Sequence, residues 1–153
     1  MVNAKEYNRT IAVKIPIIQL HQGTYIQEKE QNPNYLLTAD QQKIYRLNLL
    51  GIIIHKEKIG TITNLIVDDG TENIVIRSFE ENKNILNVLV GDVIQVIGKV
   101  RIYNDEKYIS PEIVKKMNPL WLKIRSLEMG KAYSSKNSKS ENSPKNGKEM
   151  KKL

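Results

Sequence analysis

Two long β-rich runs, Lys43 to Lys56 and Val93 to Tyr103, each carry a glycine near the middle, Gly51 and Gly98. Glycine weakens a strand interior, so its presence there marks a sharp bend or a close backbone approach. Long strands that bend belong in a curled, closing sheet rather than a flat one. Between the two runs lie Thr61 to Val67 and Glu72 to Phe79, joined by Asp68-Asp69-Gly70-Thr71, a strong hairpin signal. Glu80 to Val90 breaks the strand pattern. Its Ile85, Leu86 and Leu89 fall at helical spacing over two to three turns. After Tyr103, a tight Asn104-Asp105 turn leads into a fifth run, Glu106 to Ile113.

Five strands, a helix between the third and fourth, and glycines bending the first and fourth give the order of an OB-fold barrel. The expected fold class is therefore mainly β: a five-stranded OB-fold barrel with an N-terminal strand extension, a C-terminal helix and a disordered tail. The sequence divides into an N-terminal extension packed on the barrel (1–40), the OB-fold core (41–114), a C-terminal helix (115–130) and a basic tail (131–153). In the extension, the alternation of Ile11, Val13, Ile15 and Ile17 predicts a strand over 10–20. A polar loop from Gln27 to Asn34 and a short strand near Tyr35 to Thr38 follow. Asn118-Pro119 supplies an N-cap with proline at the first helical position, and Gly130 a stop.

Charge is unevenly placed. Residues 1–130 carry 17 basic and 15 acidic side chains, whereas residues 131–153 carry 7 and 2. Ser, Asn, Lys, Pro and Gly dominate that final segment, which lacks the apolar surface to offset its ordering entropy. The chain has no cysteine, which excludes disulfides, thiolate metal sites and cysteine nucleophiles. Two histidines, His21 and His55, leave little material for zinc or a catalytic triad, and no phosphate-cradling glycine loop is present. The longest apolar run is the six residues Leu49 to Ile54, against the roughly 20 that span a bilayer. These features predict a non-enzymatic protein with no cofactor, no metal and no membrane segment, located in the cytoplasm.

Strand side chains alternate between faces. Ile74, Ile76 and Ser78 share one face of the third strand, and Ile94, Val96, Gly98, Val100 and Ile102 one face of the fourth. The opposite parity carries Arg77 with Phe79, and Lys99 with Arg101 and Tyr103. Cations that neutralise phosphates, interleaved with aromatics on which bases stack, suit a single strand of nucleic acid. Arg46 and Lys56 on the bent first strand are further candidates. The same alternation also fits an ordinary solvated sheet face, with Phe79 a satellite of the core and Tyr103 packing its hairpin.

Several stretches together resemble a known family: Ile66-Val67-Asp68-Asp69-Gly70-Thr71, Val75-Ile76-Arg77-Ser78-Phe79 and the run from Val90 to Tyr103. Pro33 to Leu36, Arg46 to Gly51, Tyr108 to Val114, Asn118 to Leu122 and Arg125 to Glu128 extend the match. Over about residues 9–128 the chain resembles the OB domain of the replication protein A middle subunit, and most nearly the archaeal replication protein A-associated proteins. The resemblance implies single-stranded DNA binding with no enzymatic activity, in replication, repair or recombination. It also implies stacking on an aromatic late in the third strand and another at the end of the fourth, here Phe79 and Tyr103. The helix after the barrel, here residues 118–128, is implied to meet helices of partner subunits through Trp121, Ile124 and Leu127. The same helix also fits a cap on its own barrel. Against that family, the expectation is a chain without the eukaryotic winged-helix domain or phosphorylatable N-terminal arm, with the basic tail in their place.

Two other readings remain open at this level: an OB-fold that binds RNA, such as a tRNA-anticodon-type module, and a scaffold subunit that works through protein contacts. Asp68, Asp69 and Glu72 fit turn chemistry better than a magnesium site. Thr61, Thr63 and Asn64 on the second strand fit either base and sugar contacts or a solvent-facing strand.

Overall fold

Gly51 sits at the point where one strand changes partners. In the computed structural model, which describes residues 11–141 with side chains as far as residue 130, strand β5 (Leu47–Ile59) runs for 13 residues. Leu47 to Ile52 pair with β8 (Val93–Tyr103), and Ile52 to Ile59 pair with β6 (Ile62–Asp68). A Cβ on Gly51 would lie 3.0 Å from the Asp68 carbonyl oxygen, so the strand crosses there only without a side chain. Strand β6 pairs in turn with β7 (Asn73–Ser78), and β7 runs parallel to β9 (Glu106–Met117). Strand β9 returns to β8, giving the order β5-β6-β7-β9-β8 closed by β5 on β8. This closed five-stranded barrel is the expected OB-fold.

Burial follows the predicted parity. Ile94, Val96 and Val100 point inward from β8, Ile74 and Ile76 from β7, and Leu47, Leu49, Ile53, Leu65, Val67 and Ile109 complete the interior. Each such side chain stabilises the fold by about 1.5–3 kcal/mol relative to an exposed position. Two residues depart from parity: Val93 is buried, and Ile102, expected inside, is 38% exposed. The turn Asn104-Asp105 has positive φ at both residues, the two-residue geometry whose twist matches the flanking strands.

The strand predicted over 10–20 is not formed. Strand β1 is only Val13–Lys14, pairing parallel with Leu47 and Asn48, and helix α1 (Ile17–Gln22) follows. Pro16 has no N–H for the ladder; its own backbone is extended (φ −71°, ψ 147°), and its carbonyl accepts from the Gln19 N–H at 3.0 Å to open the helix. The free N–H groups of α1 are met from far along the chain. Ile17 N–H donates to Asp69 Oδ2 (2.9 Å) and Ile18 N–H to Thr71 Oγ1 (3.1 Å). Asp69 Oδ1 also accepts from the Thr71 N–H and hydroxyl. The Asp-Gly-Thr hairpin is thus both a turn and a helix cap. Asp69→Ala is expected to cost about 1–2 kcal/mol, read as a lower urea midpoint. Asp69→Asn, which keeps an acceptor, should lose less.

Of a second sheet, the sequence showed only the middle strand, near Tyr35 to Thr38. β2 (Thr24–Ile26), β3 (Tyr35–Leu37) and β4 (Lys43–Ile44) pair antiparallel. Lys43 and Ile44 therefore belong to this sheet and not to the first barrel strand. Lys43 Nζ lies 5.0 Å from the Tyr35 ring centre, and Tyr35 meets Tyr45 at 5.4 Å.

The helix expected over Glu80 to Val90 is a single turn, α2 (Lys83–Leu86). Asn82 caps its start, and Lys56 closes its end by donating from Nζ to the Leu86 and Val88 carbonyls, both at 2.8 Å. Ile85 and Val88 fill the core while Leu89 is exposed.

Asn118 caps helix α3 (Leu120–Glu141) as expected, its Oδ1 accepting from the Leu120 N–H at 2.9 Å. The helix does not stop at Gly130. One glycine in a helix interior costs about 1 kcal/mol relative to alanine, which is no barrier, and Lys131 and Ala132 are good helix formers. The segment expected to lack structure from Lys131 thus enters as helix over 131–141, and residues 142–153 lie outside the described residues. The chain divides into two units, residues 1–122 and 123–153. Among the described residues, no helix is long and apolar enough to cross a membrane, and no three His, Asp and Glu side chains gather as metal ligands.

Candidate nucleic-acid interface

The outward parity of β6, β7, β9 and β8 assembles one continuous face. Across it, Asn64 pairs in register with Arg77, Val75 with Tyr108, Tyr108 with Arg101, Ser110 with Lys99, and Glu106 with Tyr103. The structure therefore brings Arg77, Lys99, Arg101 and Tyr103 together, as the alternation predicted. Phe79, one residue past the end of β7, closes the other side.

Two grooves lie on this face. One of about 300 Å3 is lined by Arg77, Phe79, Glu80, Asn82, Ser110 and Glu112, among others. The other, of about 280 Å3, is lined by Val75, Arg77, Tyr103, Asn104, Glu106, Lys107 and Tyr108. Arg77 borders both. Phe79 is 52% exposed and Tyr103 62% exposed, so each groove has one aromatic ring open to solvent. Neither ring is held by another aromatic or by a cation among the described residues.

The cations differ in what holds them. Arg77 donates from Nε to Asn64 Oδ1 at 2.8 Å, and its guanidinium carbon lies 5.2 Å from the Tyr108 ring centre. Lys99 and Arg101 are half-buried and make no ion pair or side-chain hydrogen bond with any described residue. Arg46 is already engaged by Glu112, at 2.8 Å from Nε and 2.7 Å from Nη2. A bulge explains the meeting: Ile97 faces Ile113 while Gly98 faces Pro111, leaving Glu112 as the extra residue and turning it toward Arg46. Lys56 does not reach the face. Its ammonium is spent on the carbonyls after α2, so its part is structural, contrary to the expectation from sequence.

Thr63 is 2% exposed and belongs to the barrel interior, which removes it as a surface contact. Asn64, of opposite parity, is on the face. Tyr108 is the main side chain that sequence reasoning missed. Alternation with the buried Ile109 signalled its outward direction, but only the parallel β7–β9 register places it beneath Arg77. Asp68 and Asp69 are occupied with backbone N–H groups of their turn. On α3, Trp121 is 49%, Ile124 42% and Leu127 71% exposed.

No protein-family model matches the sequence. Over 95 residues the chain is 35% identical to an uncharacterized protein of Methanocaldococcus jannaschii, a match over 62% of this chain and 39% of that protein. The chain thus spans well under half the length of the curated relative it matches. Among solved structures, it is similar to a chain of a replication protein A heterotrimer bound to single-stranded DNA. That match has a TM-score of 0.64 at 15% identity, over 82% of this chain and 98% of the other. It is also similar to a chain of the Schizosaccharomyces pombe Stn1–Ten1 complex, with a TM-score of 0.66 at 14% identity over 87% and 98%. At such identities the likeness is one of fold. The chain has an OB-fold.

Proposed function

We propose that this OB-fold binds single-stranded DNA across β7, β9 and β8, as a small subunit or associated protein of a replication protein A-like complex in replication, repair or recombination. One observation carries the reading: two solvent-open rings, Phe79 and Tyr103, stand in two grooves that share Arg77, with Lys99 and Arg101 between them unpaired among the described residues. Stacking on an open ring needs a base whose face is free, which a single strand offers and a duplex does not. The cations supply phosphate contacts and a salt-dependent share of the affinity. The fold likeness to a chain of a replication protein A heterotrimer bound to single-stranded DNA supports the same reading.

The test is a fluorescence titration of the full chain with labelled oligo-dT, against a duplex and an RNA oligomer of matched length. The reading expects the DNA single strand to bind more tightly than the duplex at two salt concentrations. Equal binding of strand and duplex, lost at high salt, would place the attraction in the lysine-rich segment after residue 130. Preference for the RNA oligomer would assign the face to RNA through its 2′-hydroxyl.

The exposed Trp121, Ile124 and Leu127 support a partner-binding role for α3, because large apolar side chains left open on one helix are costly in a lone protein. Trp121→Ala is expected to leave oligo-dT affinity within about twofold, since surface changes distant from a site shift energies by about 0.5 kcal/mol or less. Co-purification with other OB-fold subunits from the native cell should fall sharply. Retained co-purification would overturn that role.

A further inference from the structure

Resting on the single-strand reading above, we propose that Asn64 and Tyr108 are positioning residues. They hold Arg77 as a preset fork for one phosphodiester of the bound strand, between the stacking positions of Phe79 and Tyr103.

The row begins on β5. Glu57, Asn64 and Arg77 lie in register across β5, β6 and β7. Asn64 Nδ2 donates to Glu57 Oε2 at 3.4 Å, which fixes the amide so that Oδ1 faces Arg77. That oxygen accepts the Arg77 Nε–H at 2.8 Å. The Tyr108 ring covers the guanidinium at 5.2 Å. With Nε engaged and the ring fixing the plane, the two Nη groups remain as donors without a partner among the described residues. They are the end-on pair that matches two oxygens of a phosphate. Arg77 borders both grooves, so an anion held there lies on the path between the two open rings. The Tyr108 ring, covered by Arg77, is a support for the cation and not a third stacking platform.

The experiment measures oligo-dT affinity of the full chain against salt concentration. Arg77→Ala should weaken binding and reduce the salt slope by about 0.7, the share of one phosphate on a single strand. Arg77→Lys should weaken binding with the slope kept, because charge remains and the fork is lost. Asn64→Ala should weaken binding about fivefold, in line with one lost orienting hydrogen bond. It should have no further effect in either Arg77 variant. Tyr108→Phe should match the parent and Tyr108→Leu should resemble Asn64→Ala. Parallel melting curves verify that each variant is folded, and a purely structural role for Asn64 would weaken binding equally in the Arg77 backgrounds. Multiplicative effects of Asn64→Ala and Arg77→Ala, or an Asn64→Ala variant that binds like the parent, overturn the positioning role alone. Failure of the parent chain to prefer oligo-dT over duplex overturns the single-strand reading beneath it.

Discussion

Replacing Phe79 and Tyr103 together by alanine is expected to lower oligo-dT affinity by at least ~2 kcal/mol, about thirtyfold, since each stacked base contributes about 1–3 kcal/mol. Both rings are more than half exposed, so truncation removes little buried surface and the barrel should melt nearly as the parent does. Neither change removes a charge, so the salt slope should stay where it was while the curve moves bodily to weaker binding. That combination separates stacking from phosphate attraction, which Arg77→Ala probes from the other side. A double variant that binds as the parent would mean that the two open rings are ordinary surface.

The largest effect on stability is expected at Gly98. An added Cβ would collide with the Ser110 carbonyl and lie 3.0 Å from Pro111 Cα. Both obstacles are backbone, so no side-chain rotation relieves them. Gly98 is also paired with Leu47 on its other side, leaving the strand no room to move away. Gly98→Val should therefore destabilise the fold by about 3 kcal/mol or more, the upper range for overpacking. Against a typical total of about 5–15 kcal/mol this is a large fraction, visible as a lower urea midpoint. The bulge beside Gly98 orients Glu112 and sets Lys99 opposite Ser110, so what remains folded should also bind oligo-dT less well. A Gly98→Ala variant tests the same clash with the smallest possible side chain. An unchanged midpoint in both variants would contradict the close approach of β9.

Much of the barrel was legible because alternation and turn chemistry are local. Strand β8 begins and ends at the residues its pattern predicted, and the outward positions of Arg77, Lys99 and Arg101 followed from parity alone. The failures share a cause: each depends on a partner far along the chain. Pro16 ended a strand that the apolar alternation favoured, and the helix replacing it is capped by Asp69 and Thr71, about fifty positions away. Lys56 looked like a surface cation until α2 delivered two carbonyls to it. Arg46 looked free until a bulge in β9 turned Glu112 toward it. Tyr108 gained its place under Arg77 from a parallel register that no local pattern encodes. Gly130 read as a helix stop because glycine often is one, yet its cost is small enough for a helix to pass through.

The central claim is that the β7–β9–β8 face carries the nucleic acid, and the most direct measurement maps where the chain feels it. Amide and aromatic NMR shifts of the labelled full chain would be followed as oligo-dT is added at moderate salt. The account predicts the largest changes at Arg77 and Phe79, at Lys99, Arg101 and Tyr103, and at Tyr108 beneath them, with the opposite side of the barrel quiet. Changes confined to residues 131–153, with that face unmoved, would contradict it.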